Sequence, residues 1–229
     1  MSTRLVEVRT KILKHNDVVA RELRQRFEEA DVCVVSLVSS PGSGKTAFLE
    51  STLKMLRDQY RVAAVVGDLA TDNDANRLAR ANVPIKQITT GTVCHLEAEM
   101  VRHSLEDWNI NELDFLFIEN VGNLVCPSAY DLGEQSRAVL FSVTEGEDKP
   151  LKYPTIFNTG DVAIITKMDL ATAVDFDRDA ARGNILAVRP GMRIIELSSK
   201  SGIGMEAWLE FLKAQRNATK QGILTSTTI

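Results

Sequence analysis

The segment VCVVSLVSSPGSGKTAFLESTLKML, residues 32–56, decides the fold of this chain. Its β-branched start is typical of a parallel strand that is buried on both faces. Its second half, from Gly44 onward, has apolar residues at helical spacing. Between the two halves, SSPGSGKT at Ser39–Thr46 fits the pattern G-x-x-x-x-G-K-[ST], with serine at the first glycine position. A strand, a glycine-rich loop and a helix in this order predict a phosphate-binding loop.

The loop carries the residue types that phosphate binding requires. Backbone N–H groups at a helix N-terminus attract phosphate, and glycine permits the unusual dihedral angles of such a loop. Lys45 is expected to reach the β- and γ-phosphates as a catalytic group, and the Thr46 hydroxyl to bind Mg²⁺. The lysine, the threonine and the strand context together disfavour the alternative, a glycine-rich turn without a ligand. The predicted nucleotide contacts here are Pro41, Gly42, Ser43, Gly44, Lys45, Thr46 and Ala47.

Strand and helix patterns alternate along the rest of the chain. Alternation of this kind predicts an α/β fold, a mostly parallel β-sheet flanked by helices on both faces, as in P-loop NTPases. Strands are expected at 32–40, 61–68, 84–89, 114–120, 137–144, 161–167 and 193–199, and helices at 44–58, 72–81, 95–108, 176–187 and 204–216. We divide the chain into an amphipathic helical extension at 1–31, a main domain at 32–217 that contains the phosphate-binding loop, and a flexible tail at 218–229.

Composition excludes several classes of function. A formal net charge of −4 argues against a general electrostatic grip on nucleic acid or on an anionic membrane. No apolar run approaches the roughly 18 residues of a membrane span. Three cysteines do not make a disulfide framework. We therefore expect a cytoplasmic protein with reduced thiols, with neither nucleic acid nor membrane as a partner.

Two short motifs at predicted strand ends indicate guanine as the base. Thr166-Lys167-Met168-Asp169 resembles the N-K-x-D signature of GTPases, with threonine for asparagine. The Asp169 carboxylate can accept from guanine N1–H and from the 2-amino group, whereas adenine would leave it unpaired. The Lys167 stem can cover the base. Ser198–Lys200 reads SSK and resembles the S-A-K loop near the base, which adds Ser199 and Lys200 to the predicted contacts.

Acidic residues follow two further strands. Asp68 ends one of them, and Glu119 stands three residues before Gly122, where many GTPases have D-x-x-G. We expect Asp68 and Glu119, with the P-loop threonine, to surround Mg²⁺, and Gly122 to contact the γ-phosphate. Asp72 or Asp74 is expected to orient the attacking water, so both join Asp68 as catalytic candidates. A helix cap is the equal alternative for either of them.

Cys94 and His95 are adjacent in GTVCHLEAE, although the whole chain has only three residues of each type. Both follow a strand, as does Cys126, so the three side chains are expected to converge near the phosphates. Thiolate and neutral imidazole suit Zn²⁺, and Ni²⁺ or Co²⁺ under other geometry. A Cys–His nucleophile pair and a structural role stay open as alternatives. Cys33, within an apolar strand, is expected to be a core thiol.

Several blocks together resemble the hydrogenase-maturation nickel-insertion GTPases, the HypB family. They are SSPGSGKT, GDLATDND, TGTVCHLEA, LFIENVGNLVCPSAYDLGE and SVTEGEDKPLKYP, and the match runs from about Val32 to Trp208. The resemblance implies a SIMIBI-class GTPase that dimerises with GTP bound. It also implies that Cys94, His95 and Cys126 hold nickel or zinc.

The resemblance further implies two partners, a HypA-type nickel chaperone and a hydrogenase large-subunit precursor. The chain departs from the family in two places: the first 31 residues contain no cysteine and only His15, and Val93 replaces the usual glycine before the Cys–His pair. We expect the segment EGEDKPLKYP, residues 145–154, to form part of a nucleotide or dimer contact, with a solvated loop as the alternative. A regulatory GTPase with a structural zinc site is the second functional hypothesis, and a small-molecule P-loop kinase the third.

Overall fold

The apolar run that opens the quoted segment forms the central strand of a parallel sheet. The computed structural model describes residues 3–68 and 78–221, and within them all seven predicted strands are present. Every residue of the first strand is buried, as expected for a strand covered on both faces. The strands are β1 (Cys33–Ser39), β2 (Val62–Asp68), β3 (Ile85–Thr89), β4 (Phe115–Glu119), β5 (Ser136–Ser142), β6 (Val162–Thr166) and β7 (Arg193–Glu196).

All strand pairs are parallel, in the order β3-β2-β4-β1-β5-β6-β7. The prediction of an α/β fold with a mostly parallel sheet is therefore confirmed. In such a sheet every carboxyl end lies at the same edge, where α/β proteins bind ligands. The phosphate loop follows β1, and Glu119 ends the adjacent strand β4. The topology thus brings these two segments together at that edge.

Helices cover both faces of the sheet. Within the described ranges they are α1 (Thr3–Glu29), α2 (Lys45–Leu56), α3 (Ala98–Ser104), α4 (Lys149–Lys152), α5 (Pro154–Thr159), α6 (Arg178–Val188) and α7 (Met205–Lys220). Alternate residues of β1 point to opposite faces, as in any strand. Val35 packs in one core with Phe48 of α2 and Trp208 of α7, whereas Val34 packs in another with Phe27 of α1.

The amino-terminal extension is a single helix that packs on the domain. Its apolar stripe, including Leu23 and Phe27, is buried against the sheet and α3. Gly133, with φ of +80°, lies so close to this helix that a Cβ atom there would be 2.8 Å from the Ala20 carbonyl oxygen. A close helix–loop contact of this kind requires glycine.

The structure differs from the sequence-based expectations at several element ends. The helix predicted at 95–108 spans only Ala98–Ser104, and residues 145–154 are mostly helical, unlike the solvated loop that was the alternative for this segment. The last helix continues to Lys220, into the first residues assigned to the tail. Of the helix predicted at 72–81, the described part ends in a 3₁₀ turn at Ala79–Ala81, and most of the rest lies outside the described residues. No helix among the described residues is long and apolar enough to cross a membrane.

Candidate nucleotide and metal sites

The phosphate loop surrounds an open cavity of about 430 Å³. Gly42 and Gly44 have φ angles of +76° and +91°, in the left-handed region that favours glycine. The cavity is lined by all seven predicted loop residues, Pro41 to Ala47, and by Gly122 from the loop after β4. The structure therefore brings the predicted phosphate contacts together in one concave site at the N-terminus of α2, where anions bind favourably.

Glu119 contacts both side chains of the phosphate loop that are expected to act on the nucleotide. Lys45 Nζ donates to Glu119 Oε1 at 2.8 Å, and Thr46 Oγ1 donates to the same oxygen at 2.7 Å. The Glu119 side chain is almost fully buried, and its Oε2 atom has no hydrogen-bond partner among the described residues. A buried, unpaired carboxylate oxygen beside a threonine hydroxyl fits a Mg²⁺ ion or its water ligands.

The remaining phosphate-side predictions have different outcomes. Gly122 lies against the phosphate loop, because a Cβ atom there would be 3.2 Å from Pro41 Cα. Asp68 is the last residue of β2 and so reaches the same sheet edge. Its side chain lies outside the described part of the structure, as do Asp72 and Asp74 entirely.

A second cavity of about 230 Å³ continues from the first past Gly44. It is lined by the predicted base contacts Thr166, Lys167, Asp169, Ser199 and Lys200, together with Leu170 and Ser198. Its position beside the phosphate site and its largely apolar wall suit a purine base.

Thr166 and Lys167 tie the base cavity to the phosphate loop. Thr166 Oγ1 donates to the Ser43 carbonyl oxygen at 2.6 Å, and Lys167 Nζ donates to the Gly42 carbonyl oxygen at 2.6 Å. A threonine in place of the usual asparagine thus still fixes the loop. Lys167 adopts a left-handed backbone with φ of +59°, which turns its side chain back over the glycines.

Ser198 orients the carboxylate predicted to recognise guanine. Its hydroxyl donates to Asp169 Oδ1 at 2.6 Å. The SSK motif predicts Ser199 and Lys200 as base contacts, but the residue that bonds Asp169 is Ser198, the first of the motif. The hydrogen bond leaves Asp169 Oδ2 available for the guanine N–H donors.

The phosphate loop also contacts the segment at 145–154. The Ser40 hydroxyl donates to Glu145, whose carboxylate also pairs with Lys149 Nζ at 2.9 Å. Glu145 Oε2 accepts from the Ser142 backbone N–H at 2.8 Å, which closes a capping box at the end of β5. Part of this segment is therefore fixed beside the nucleotide cavity.

Cys94, His95 and Cys126 converge as the sequence predicts. Their potential ligand atoms all lie within 4.8 Å of one another. Cys94 Sγ is 2.9 Å from Cys126 Sγ and 4.0 Å from His95 Nδ1, and neither thiol forms a disulfide bond. Because the closest partner of the Cys94 thiol is a second thiol, the arrangement suits a thiolate–imidazole metal site better than a nucleophile–base pair.

The backbone around the Cys–His pair is irregular, which lets both side chains face Cys126. Adjacent residues of a helix diverge by about 100°, and α3 begins only after this pair, at Ala98. The preceding turn closes with a hydrogen bond from Val93 N to the Thr90 carbonyl oxygen at 3.1 Å. Gly91, with φ of +61°, supplies the left-handed residue of this turn, so valine at 93 is tolerated without strain.

The environment of His95 favours a neutral ring. Burial lowers the pKa of the His95 imidazole below its ordinary value, although the Glu97 carboxylate, 3.5 Å from Nε2, opposes this effect. The ring of Tyr130 packs against His95 with the centroids 3.9 Å apart. A neutral imidazole has a lone pair free to bind a metal ion.

Three asparagines that the sequence analysis did not assign hold the metal-binding segments. Asn120 Oδ1 accepts from Leu96 N at 2.9 Å, and Asn123 Nδ2 donates to the Cys94 carbonyl oxygen at 3.3 Å. From α1, Asn16 Oδ1 accepts from Ala98 N at 2.9 Å, and its Nδ2 donates to the Asp131 carbonyl oxygen at 2.9 Å. The buried positions of Asn16 and Asn120 have no signature in a single sequence.

A buried ion pair supports the segment that carries Cys126 and Tyr130. Arg137 NH2 lies 2.8 Å from Glu134 Oε1 and also donates to the Tyr130 carbonyl oxygen at 2.7 Å. Ser36 of β1 donates to the same Glu134 oxygen at 2.8 Å. Burial alone would raise the pKa of the Glu134 carboxyl. The positive charge of Arg137 and the hydrogen bonds that the Glu134 carboxylate accepts outweigh this effect and lower the pKa to about 2.

The other cysteine and histidines take structural positions. Cys33 is fully buried in β1, and burial raises the pKa of its thiol to about 12. The prediction of a core thiol is confirmed. His15 is exposed on α1 and His103 on α3, and neither belongs to the metal cluster.

Comparison with known proteins agrees with the fold and with a nucleotide-binding domain. The family model described as "CobW/HypB/UreG, nucleotide-binding domain" matches residues 32–196. The hydrogenase maturation factor HypB of Azotobacter vinelandii is 46% identical over 214 residues, which cover 93% of this chain and 71% of that protein.

Solved structures give the same result. The crystal structure of HypB from Helicobacter pylori in complex with nickel is 39% identical, with a TM-score of 0.85, and the match covers 94% of this chain and all of that one. The signal recognition particle 54 kDa protein of Aeropyrum pernix in complex with GDP shares the fold alone, at 18% identity and a TM-score of 0.57 over 96% of this chain and 62% of that one. The chain therefore belongs to the HypB family of hydrogenase maturation factors, which are P-loop GTPases.

Proposed function

We propose that this GTPase binds nickel through Cys94, His95 and Cys126 and releases it according to its nucleotide state during hydrogenase maturation. The convergence of these three ligand atoms within 4.8 Å is the observation that carries the proposal. Support comes from the Helicobacter pylori HypB, which has been crystallised in complex with nickel. Zinc accepts the same ligands and is the competing ion.

The nucleotide chemistry of the proposal follows from the two connected cavities. Lys45 balances the charge of the β- and γ-phosphates, and Asp169, oriented by Ser198, pairs with guanine. Thr46, Glu119 and Asp68 hold the Mg²⁺ ion, which supplies positive charge to the phosphates when it is bound. Either Asp72 or Asp74 remains our candidate for the residue that orients the attacking water.

In this proposal, GTP binding alters the metal site through Glu119. Both groups that bond Glu119 in this structure, Lys45 Nζ and Thr46 Oγ1, are groups that the nucleotide and Mg²⁺ attract. Occupation of the phosphate site therefore changes the partners of Glu119 at the end of β4. Hydrolysis reverses the change. The segment after β4 thus has one arrangement with GTP and another with GDP, and each arrangement gives the metal site a different affinity for nickel.

The proposal also includes a GTP-dependent homodimer with the metal site at or near the joint. Three protein ligands leave a tetrahedral site one short, and a second subunit or water completes it. The apolar Val125 side chain, next to Cys126, is exposed in the single chain, and a second subunit would bury it. A HypA-type nickel chaperone and a hydrogenase large-subunit precursor are the proposed partners, and the cytoplasm is the proposed location.

Metal titration of cysteine variants tests the nickel site. We expect Cys94→Ala and Cys126→Ala each to lower the affinity for Ni²⁺ at least about tenfold, because each removes one of three ligands. Cys33→Ala is the matched control, since this thiol lies in the core of β1 and its loss should leave nickel affinity unchanged. Parental affinity in both ligand variants would remove the basis of the proposal and would leave a GTPase without this metal site.

Gel filtration with GDP and with a non-hydrolysable GTP analogue tests the dimer. We expect a monomer with GDP and a dimer with the analogue. The same elution volume in both states would contradict the nucleotide-dependent dimer, but not the nickel site.

A further inference from the structure

Leu96, the residue after His95, lies directly against the end of β2. Its side chain is fully buried. A Cβ atom built on Gly67 would lie only 2.8 Å from Leu96 Cγ and Cδ2, so the leucine side chain occupies the space that any larger residue at 67 would need. Gly67 immediately precedes Asp68. The metal-binding segment therefore packs on one of the two strand ends that carry the predicted Mg²⁺ groups.

The backbone of Leu96 is bonded to the other strand end. Leu96 N donates to Asn120 Oδ1 at 2.9 Å, and Val121 N donates to the same oxygen at 2.9 Å. Asn120 is only 1% exposed, and its own backbone N–H donates to the Leu37 carbonyl oxygen of β1 at 3.0 Å. The side-chain oxygen is thus held between the strand that leads to the phosphate loop and the residue next to a metal ligand.

Asn120 is also the chain neighbour of Glu119. The two residues share one planar peptide unit, so a shift of the Glu119 backbone moves Asn120 as well. Glu119 bonds Lys45 and Thr46 on the phosphate side, whereas Asn120 bonds Leu96 on the metal side. At the end of β4, Glu119 therefore contacts the phosphate site and its neighbour Asn120 contacts the metal-binding segment.

We propose that Asn120 is the positioning residue that transmits the nucleotide state to the metal site, by holding the Leu96 N–H against the end of β4. This inference rests on the proposed function, because it assumes that nickel affinity differs between the GDP and GTP states. Leu96, packed on Gly67, is the element that Asn120 displaces. Its movement alters the backbone of His95 and, through it, the spacing of the three ligands.

The test compares Asn120→Ala with the parent protein in full-length form. Ni²⁺ is titrated in the presence of GDP and of a non-hydrolysable GTP analogue, and the ratio of the two Kd values is the readout. We expect the parent ratio to differ from one by at least about fivefold, as is usual for coupled sites. We expect a ratio near one in Asn120→Ala and a ratio near the parental one in Asn120→Asp, which keeps an oxygen acceptor of the same size.

Asn16→Ala is the matched control. Asn16 is also a buried asparagine and accepts a hydrogen bond from the same metal-binding segment, at Ala98 N, but it does so from α1 rather than from the nucleotide edge. We expect its loss to weaken nickel binding equally in both nucleotide states and to leave the ratio unchanged. If Asn120 only stabilised the fold, Asn120→Ala would, like Asn16→Ala, keep the parental ratio of the two Kd values.

A parental ratio in Asn120→Ala would overturn the inference while leaving the proposed function intact. A parent that binds no Ni²⁺, or binds it equally in both states, would contradict the proposed function itself and this inference with it. If thermal melting shows that Asn120→Ala does not fold, Leu96→Ala takes its place, because it removes the contact with Gly67 and keeps the backbone hydrogen bond. We expect Leu96→Ala to reduce the ratio, and a parental ratio in that variant counts against the inference.

Discussion

The phosphate loop and the metal cluster lie at the same edge of the sheet but are assembled differently. The phosphate loop is eight consecutive residues, and its shape depends on two glycines and on bonds from Thr166 and Lys167. The metal cluster joins side chains that are 32 residues apart in the chain, Cys94 and Cys126. It is held by side chains from α1, from the loop after β4 and from the start of β5.

The difference explains how each site should respond to substitution. A contiguous loop loses function when one of its own side chains is removed, and changes beyond its two supporting side chains, Thr166 and Lys167, should leave it nearly intact. A site assembled from separate segments also depends on the residues that hold the segments together. A substitution at one site should therefore affect that site more than the other, and measurements at both sites test this difference.

The largest effect is expected from Lys45→Ala. Removing the positive charge that faces the transferred phosphate should lower the rate of GTP hydrolysis by about 10³-fold, as loss of a preorganised electrostatic contact does in other enzymes. Ni²⁺ affinity without nucleotide should change far less than this, because Glu119 keeps its bond from Thr46 and no metal ligand is removed. Phosphate release and metal titration measure the two outcomes. Lys54→Ala is the control, because Lys54 is on the same helix but is exposed and, among the described residues, forms an ion pair with Glu50 alone.

The next effect concerns the metal side and depends on pH. Glu134→Gln removes the charge that pairs with buried Arg137, which should lower the free energy of unfolding by about 3 kcal/mol at pH 7. The folded pKa of Glu134, about 2, is below its ordinary 4.5, so the stabilisation is present above pH 4.5 and is lost as the pH falls toward 2. Urea unfolding should therefore show that the free energies of unfolding of the parent and the variant converge as the pH falls from 4.5 toward 2.

The Glu134 variant should also separate the two sites at neutral pH. We expect weaker Ni²⁺ binding, because the segment with Tyr130 and Cys126 loses support, and an unchanged affinity for GTP. Equal weakening of both ligands would contradict the view that the ion pair supports the metal side in particular.

The smallest effect is expected from Ser198→Ala. The hydroxyl orients Asp169 and also accepts a hydrogen bond from the Ser201 backbone N–H at 3.2 Å, and it touches neither phosphate nor metal, so its loss should weaken GTP binding by about 1 kcal/mol, or roughly fivefold. The rate at saturating GTP should stay near that of the parent, since the phosphate loop is untouched. Ser201→Ala is a nearby control on the exposed side of the same turn. An equal loss in both variants would indicate a general effect on the turn rather than on Asp169.

Much of this architecture could be predicted because the evidence for it is local in the chain. All seven predicted strands are present, and the five inner strands are largely apolar because they are buried on both faces, whereas the edge strands β3 and β7 are only partly buried. The phosphate loop is a contiguous pattern. The convergence of Cys94, His95 and Cys126 was also predictable, because carboxyl ends of parallel strands share one edge.

The start of α3 was predicted wrongly for a physical reason. Residues 94–97 have a helical pattern, but the Leu96 and Ala98 N–H groups bond asparagine side chains from other elements. A tertiary hydrogen bond to a backbone N–H replaces the helical one, so the helix begins at Ala98. Sequence patterns report local preference and not such distant partners.

The sequence by itself determined the parallel sheet, the phosphate loop, the base-recognition motif and the three types of metal ligand. Only the tertiary structure decided which side chains hold those parts in place: Ser198 behind Asp169, Asn120 between the two sites, Asn16 from α1 and Glu134 beneath the Cys126 segment. The physical reason is range. Strand, loop and helix patterns arise from neighbours along the chain, whereas a buried polar side chain is placed by a partner that folding brings near.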